Sequence, residues 1–227
     1  MRTIEVRRLG HLPYADALAL QRALVVERQA QCVGDLLLLV EHEAVLTLGV
    51  RGDGGRANIR TTDEDLVARG IGVFETGRGG DITYHGPGQI VGYPIVDLNP
   101  DRRDVHRYVR DLEEVLIRVA TDFGVKASRI EGLTGVWVGE EKLAAIGVRI
   151  SRWVTSHGFA LNVSTNLDDF NLIVPCGIAD KGVTSFARLG LDLDREAIED
   201  RIVARFADVF ERVPAPAAAV PIGGGQA

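Results

Sequence analysis

At 227 residues the chain suits one large domain or two small ones, and either can bury a sizeable core. Apolar residues make up 46% and charged residues 26%, and the formal net charge of −6 argues against a nucleic-acid binder, which carries a basic excess. The longest strongly apolar stretch ahead of the C-terminal tail, Leu36–Val40, is far too short to span a bilayer, and Met1–Arg8 has no signal-peptide core, so a cytoplasmic protein without membrane partners is expected.

Arg2–Arg8 alternates like a strand. Pro13 to Gln31 reads as a helix, with proline near its start and Ala17, Leu20 and Leu24 on one stripe. Cys32, just after it, has no chemical neighbour in sequence and reads as structural. Leu36–Val40 and Ala44–Gly49 read as strands, the first buried on both faces because its apolar run is unbroken. Arg51–Arg60 is rich in glycine and arginine, lacks periodicity and reads as a mobile loop. Thr62–Arg69 is a short helix capped by Thr62 or Asp63, and Ile71–Glu75 is a strand.

Arg78–Gln89 follows, reading Arg-Gly-Gly-Asp-Ile-Thr-Tyr-His-Gly-Pro-Gly-Gln. Its glycines mark two tight bends around a short strand at Asp81–His85, and Ile90–Val96 is strand-like. Pro100–Phe123 is the clearest helix, with Val105, Tyr108, Leu112, Leu116 and Val119 on one face and Gly124 just past its end. Gly135–Val138, Lys142–Ile150 and Trp153–Val163 fit a β-meander. Period two sets Ser156, Gly158 and Ala160 on one side of the last strand, opposite Thr155, His157 and Phe159. Asp194–Arg212 is the last helix, and the Pro/Ala/Gly-rich 214–227 reads as a disordered tail after a domain spanning 1–213. Groups of consecutive strands with long helices between them suggest a single α/β domain with a mixed, largely antiparallel sheet.

The two cysteines form no Cys-x-x-Cys and no cluster with histidine, so neither a disulfide framework nor a metal site is expected. Cys176 sits on a bend between Pro175 and Gly177, whereas a buried inert thiol belongs more often inside a helix or strand. A nucleophilic thiol needs a cation or base beside it. Lys142 is one candidate, although Glu140-Glu141 also suit a solvated turn lysine. His85 and His157 are the others, and spacing does not choose between them.

Together, the stretches at 78–89, Lys142–Gly147, His157–Asn162 and Pro175–Gly177 resemble the octanoyltransferase family of lipoate biosynthesis, in order and across about Arg2 to Arg212. Leu36–His42 also resembles that family's early strand, with Glu43 where proline is usual. The resemblance implies a biotin/lipoyl protein ligase-like fold with a deep acyl cavity. It implies an ATP-independent acyltransferase without cofactor, moving an octanoyl group from acyl carrier protein to a lysine of lipoyl domains. Those acceptors would be the glycine cleavage H protein and the E2 subunits of 2-oxoacid dehydrogenases. It also implies that Cys176 carries the acyl group as a thioester and that Lys142 tunes it. Substrate contacts are implied for Arg78, Gly79, Gly80, Asp81, Ile82, Thr83, Tyr84 and His85, for Ala145, Ile146 and Gly147, and for His157, Gly158, Phe159 and Ala160. The competing readings are a lipoyl amidotransferase, an ATP-dependent lipoate-protein ligase of the same fold, and a non-catalytic acyl-chain binding module.

Overall fold

The computed structural model describes residues 2–51, 56–174 and 181–216, and they begin with the expected first strand, β1 (Arg2–His11). Helix α1 (Tyr14–Gln29) then carries the chain over one face, so that β2 (Asp35–Glu41) returns parallel to β1. Pro13 gives α1 no side-chain cap. The Glu43 carboxylate does so instead, accepting the Tyr14 N–H at 3.1 Å and 3.2 Å. Next come β3 (Val45–Leu48), α2 (Asp63–Ala68) capped by Thr62, β4 (Gly72–Glu75), β5 (Thr83–His85) and β6 (Gln89–Ile95). Helix α3 (Val105–Asp122) starts later than the apolar pattern suggests, because the Asp104 side chain accepts the Arg107 N–H and fixes the first turn there.

The chain continues with β7 (Ser128–Ile130), β8 (Leu133–Val138), β9 (Glu141–Ser151), β10 (Val154–Asn162), β11 (Gly182–Val183), α4 (Arg195–Phe210) and β12 (Arg212–Pro216). Among the described residues the large sheet runs β12-β1-β2-β6-β10-β9-β8-β7, with β11 joined to β9, and a small sheet runs β4-β3-β5. The large sheet is parallel at β12-β1, β1-β2 and β11-β9 and antiparallel elsewhere.

The unbroken apolar run of β2 is buried on both faces, as its composition requires. Leu37 and Leu39 pack with Phe159 and Leu161 under α3 and α4, whereas Leu36, Leu38 and Val40 pack with Val91, Tyr93 and Ala160 under α1. The small sheet lies beside α1, whose Tyr14 ring stands 5.0 Å from Phe74 and 6.1 Å from His85.

Three readings of the sequence change. Pro214–Pro216 do not belong to a tail, since β12 pairs with β1 from Arg2↔Arg212 to Val6↔Pro216. Its anchor is Arg212, whose Nε donates to buried Asp35 at 3.0 Å while Asp35 also accepts from Arg28 and from the Asp97 N–H. Residues 217–227 lie outside the described residues. Cys32 is exposed, so it is no core filler. In the stretch read as a mobile loop, Arg56–Asn58 form a helical turn and Ile59 bridges Ile173. No helix among the described residues is long and apolar enough to cross a membrane.

Candidate active site

The glycine-rich stretch after β4 reaches the large sheet through its backbone. The Gly79 N–H donates to Val148 O on β9 at 2.8 Å, while Val50 and Arg51 donate to Arg78 O and Gly80 O. Gly80 holds φ +89°, a region that glycine enters without strain. Gly147 on β9 lets the stretch approach, because a Cβ there would lie 3.0 Å from Gly79 O and 3.1 Å from Arg78 Cδ.

Arg78 folds inward, 7% exposed, and donates to Thr47 O at 2.6 Å, to Thr47 Oγ1 at 2.9 Å and to Gly79 O at 3.1 Å. Thr47 Oγ1 also lies 3.4 Å from His85 Nε2, and His85 Nδ1 lies 2.7 Å from Gln89 Oε1. Gln89 Nε2 donates to Asn162 Oδ1 at 2.9 Å, and Asn162 Nδ2 donates to Thr184 O at 3.0 Å. Since the Gln89 amide nitrogen is used in this way, its oxygen faces His85 and takes the Nδ1 proton. His85 is thereby set as the neutral Nδ1–H tautomer. Burial, the nearby His42 and the Arg78 charge push its pKa down to about 3, against a weaker upward pull from Gln89. This buried chain ends at β9, where the Thr184 N–H donates to Lys142 O at 3.0 Å.

Lys142 is buried, 7% exposed, and its Nζ stands 4.7 Å from the centroid of the Trp137 ring. The solvated alternative suggested by Glu140-Glu141 is thus excluded: β8 and β11 pair with this end of β9, and the Trp137 ring lies against the side chain. A small cavity beside Lys142 is lined by Thr83, Gln89, Ala145, Asn162, Phe170 and Val183.

Thr83 and Ala145 also line a larger cavity, which lies between the α1 face of the large sheet and the small sheet. Its empty volume, mouth included, is about 470 Å³. Arg78, Gly80, Thr83, His85, Ala145, Ile146, Gly147, His157, Gly158, Phe159 and Ala160 all border it, so three separate stretches of sequence converge on one space. Tyr14, Val91 and Tyr93 complete the wall, and no carboxylate is among the described lining residues. The wall is mostly apolar, and its small residues leave room for a chain-like ligand.

The remaining residues expected at the site sit around it. Gly79 makes the backbone bond to β9. Strand alternation along β5 sends Thr83 and His85 to the cavity and Tyr84 away from it, where its hydroxyl donates to Asp169 at 3.0 Å. Ile82 packs in the small-sheet core. Asp81 accepts from Asn58 Nδ2 at 2.7 Å, and Asn58 O in turn accepts the Val174 N–H at 2.8 Å. Cys176 lies outside the described residues, between that anchor and Gly182–Val183, which pairs with Glu141–Lys142.

His157 departs from the expected alternation. Its φ of +56° turns the ring out of line with Thr155 and Phe159 and toward α1, and its N–H donates to Gln21 Oε1 at 2.8 Å. Burial, with the Arg78, Arg149 and Arg22 charges, pushes its pKa down to about 4. Tyr14, Thr47, Tyr93, Gln89 and Asn162 escaped the sequence reading. Gln89 and Asn162 close two of the motifs, and Tyr93 brings the only hydroxyl to the apolar run 90–96, so these three had a signal, whereas Tyr14 and Thr47 had none.

Known proteins resemble this chain in sequence and in fold. Residues 13–207 match the family described as the lipoyl protein ligase A/B catalytic domain. A protein of Solibacter usitatus named octanoyltransferase is 50% identical over 220 residues, covering 97% of this chain and 99% of its own length. One of Myxococcus xanthus with the same name is 52% identical over 95% of this chain, which spans 62% of that protein's length. Among solved structures, a putative lipoate protein ligase of T. acidophilum with bound lipoic acid matches with a TM-score of 0.78 at 14% identity, covering 97% of this chain and 91% of its own, a likeness of fold. The chain belongs to the octanoyltransferases, acyltransferases of the lipoyl protein ligase A/B catalytic-domain family.

Proposed function

We propose that the cavity bordered by Ala145, Gly147, Gly158 and Ala160 holds the octanoyl chain, and that Cys176 and Lys142 carry out the transfer at its Thr83–Ala145 end. The observation that carries this reading is the joining of a mostly apolar, small-residue cavity to a buried lysine. Tethering of the chain on both sides of 175–180 supports a role for Cys176, with Val174 held by Asn58 and Val183 paired to Lys142. The Cys176 thiolate attacks the thioester carbonyl of octanoyl-acyl carrier protein. A new C–S bond forms, the old one breaks, and the carrier thiolate leaves, taking from Lys142 the proton that Cys176 had given it, so that Lys142 is left neutral. The lysine amine of a lipoyl domain, in the H protein or an E2 subunit, then attacks the acyl-enzyme. The amide C–N bond forms, Cys176 leaves as thiolate, and neutral Lys142 takes the amine proton. Thioester-to-amide transfer is downhill and needs no ATP. His85 and Gln89 hold the Thr83 end in place as a neutral scaffold.

On this reading donor and acceptor are both proteins, and the enzyme meets them in the cytoplasm. The test is a donor panel assayed against a lipoyl domain. Octanoyl-acyl carrier protein should serve without ATP, and octanoate plus ATP should not. Transfer only from free acid and ATP would make the chain a ligase, and transfer only from lipoylated protein would make it an amidotransferase.

A further inference from the structure

We infer that His157 is the far wall of the acyl cavity and sets the chain length that the enzyme accepts. The inference rests on the reading of that cavity as the acyl site. Among the described residues, His157 alone borders both this cavity and a second, wider groove between α1 and the β9–β10 turn. The groove is lined by Gln21, Arg22, Arg149, Ser151 and Ser156, among others, and its empty volume with the mouth is about 840 Å³. The imidazole therefore stands between an apolar chamber and a polar, cationic one.

The length of the apolar chamber follows from strand register. Ala145 pairs with Ala160 near the Lys142 end, and Val148 pairs with His157. Those three residue steps along β9 measure roughly 10 Å at about 3.3 Å each. An extended eight-carbon acyl chain, with seven C–C bonds of about 1.5 Å in zigzag, reaches roughly 9 Å. The chain thus fills the chamber and ends at the ring.

The wall is built into the backbone. A residue with ordinary strand geometry at 157 would point to the α3–α4 face with Thr155 and Phe159. The left-handed φ instead turns His157 to the α1 face, where buried Gln21 holds its N–H and the Tyr93 ring lies edge-on at 6.4 Å. Burial keeps the ring neutral, so an alkyl terminus meets no charge.

His157→Gly and His157→Asn test this, since both residues tolerate the left-handed conformation while shortening the side chain. Calorimetry would follow binding of saturated acids from octanoate to dodecanoate to each protein, so that a variant inactive in transfer still reports length. In the wild type affinity should level off near eight carbons. In His157→Gly it should keep rising, by up to about fourfold per added methylene where the groove buries it, and raise the dodecanoate-to-octanoate ratio at least about tenfold. His157→Asn should fall between. An unchanged length optimum in both variants overturns the inference. An Ala145→Leu variant run in parallel separates the two claims. If it weakens octanoate while the His157 variants keep the wild-type optimum, the wall alone is refuted. If it binds octanoate normally, the acyl cavity lies elsewhere and both claims fall.

Discussion

Ala145→Leu is the most direct probe of the cavity wall. Ala145 is only half-buried and lines the space on its β9 side, opposite Ala160. Three added carbons have the cavity to enter, and they displace about as many methylenes of a bound chain. At about 0.8 kcal/mol per buried methylene the loss is about 2.4 kcal/mol, or about fiftyfold in octanoate affinity. The assay is calorimetric binding of octanoate together with the KM for the octanoyl donor, on protein whose melting temperature is checked. Gly158→Val would be a poor substitute. A Cβ on Gly158 would lie 2.2 Å from Gly92 O and 2.7 Å from Pro94 Cδ, so the variant distorts β6 rather than filling the channel, and should harm every donor alike. Normal octanoate affinity in a folded Ala145→Leu protein would refute the assignment.

Three further outcomes are expected. Lys142→Ala should lose ~10²–10⁴-fold in kcat/KM and Lys142→Arg should not recover it, because a guanidinium does not give up its proton; a fully active Arg variant would mean that charge alone suffices. Folding stability should be fully present above pH 6.5 and fall as pH drops toward 4, by about 1.4 kcal/mol per pH unit for each of His85 and His157. The unfolded chain takes up protons near 6.5 that the folded one refuses, so the unfolded state binds more protons in that window. Denaturant midpoints should show His157→Asn losing one histidine's share of that slope, and an identical slope would contradict the burial argument. Glu43→Ala should cost about 1 kcal/mol by uncapping α1, seen as a melting point lower by about 2–4 °C, and an unchanged melting point would deny the cap its role.

Much of this fold can be read from residue patterns, where one force dominates. β2 is legible because five consecutive apolar residues suit only a strand buried on both faces, and α3 because its apolar stripe fits a helix against a core. β12 is not, since Pro214 and Pro216 look like tail. Proline is tolerated there because β12 is the edge strand, and the Arg212–Asp35 pair that recruits it spans 177 residues of sequence. The small sheet is obscured for a similar reason, as β3 pairs across the chain with both β4 and β5.

The cavity's glycines and alanines stand out in the sequence, but two features of the site depend on tertiary packing. Lys142 sits beside two glutamates in sequence, yet Trp137 and β11 bury it. His157 obeys the strand period on paper, and only its left-handed φ, supported by Gln21 from α1, sends it to the cavity side. The departure at Glu43 also gains a purpose, since its carboxylate replaces the cap that Pro13 does not provide.

Acyl transfer through Cys176 is the centre of the account, and intact-mass and peptide mapping after incubation with octanoyl-acyl carrier protein test it most directly. One octanoyl adduct should form, on Cys176 and not on the exposed Cys32, and Cys176→Ala should abolish both adduct and transfer. Near-normal turnover by Cys176→Ala, or an adduct carried elsewhere, would contradict it.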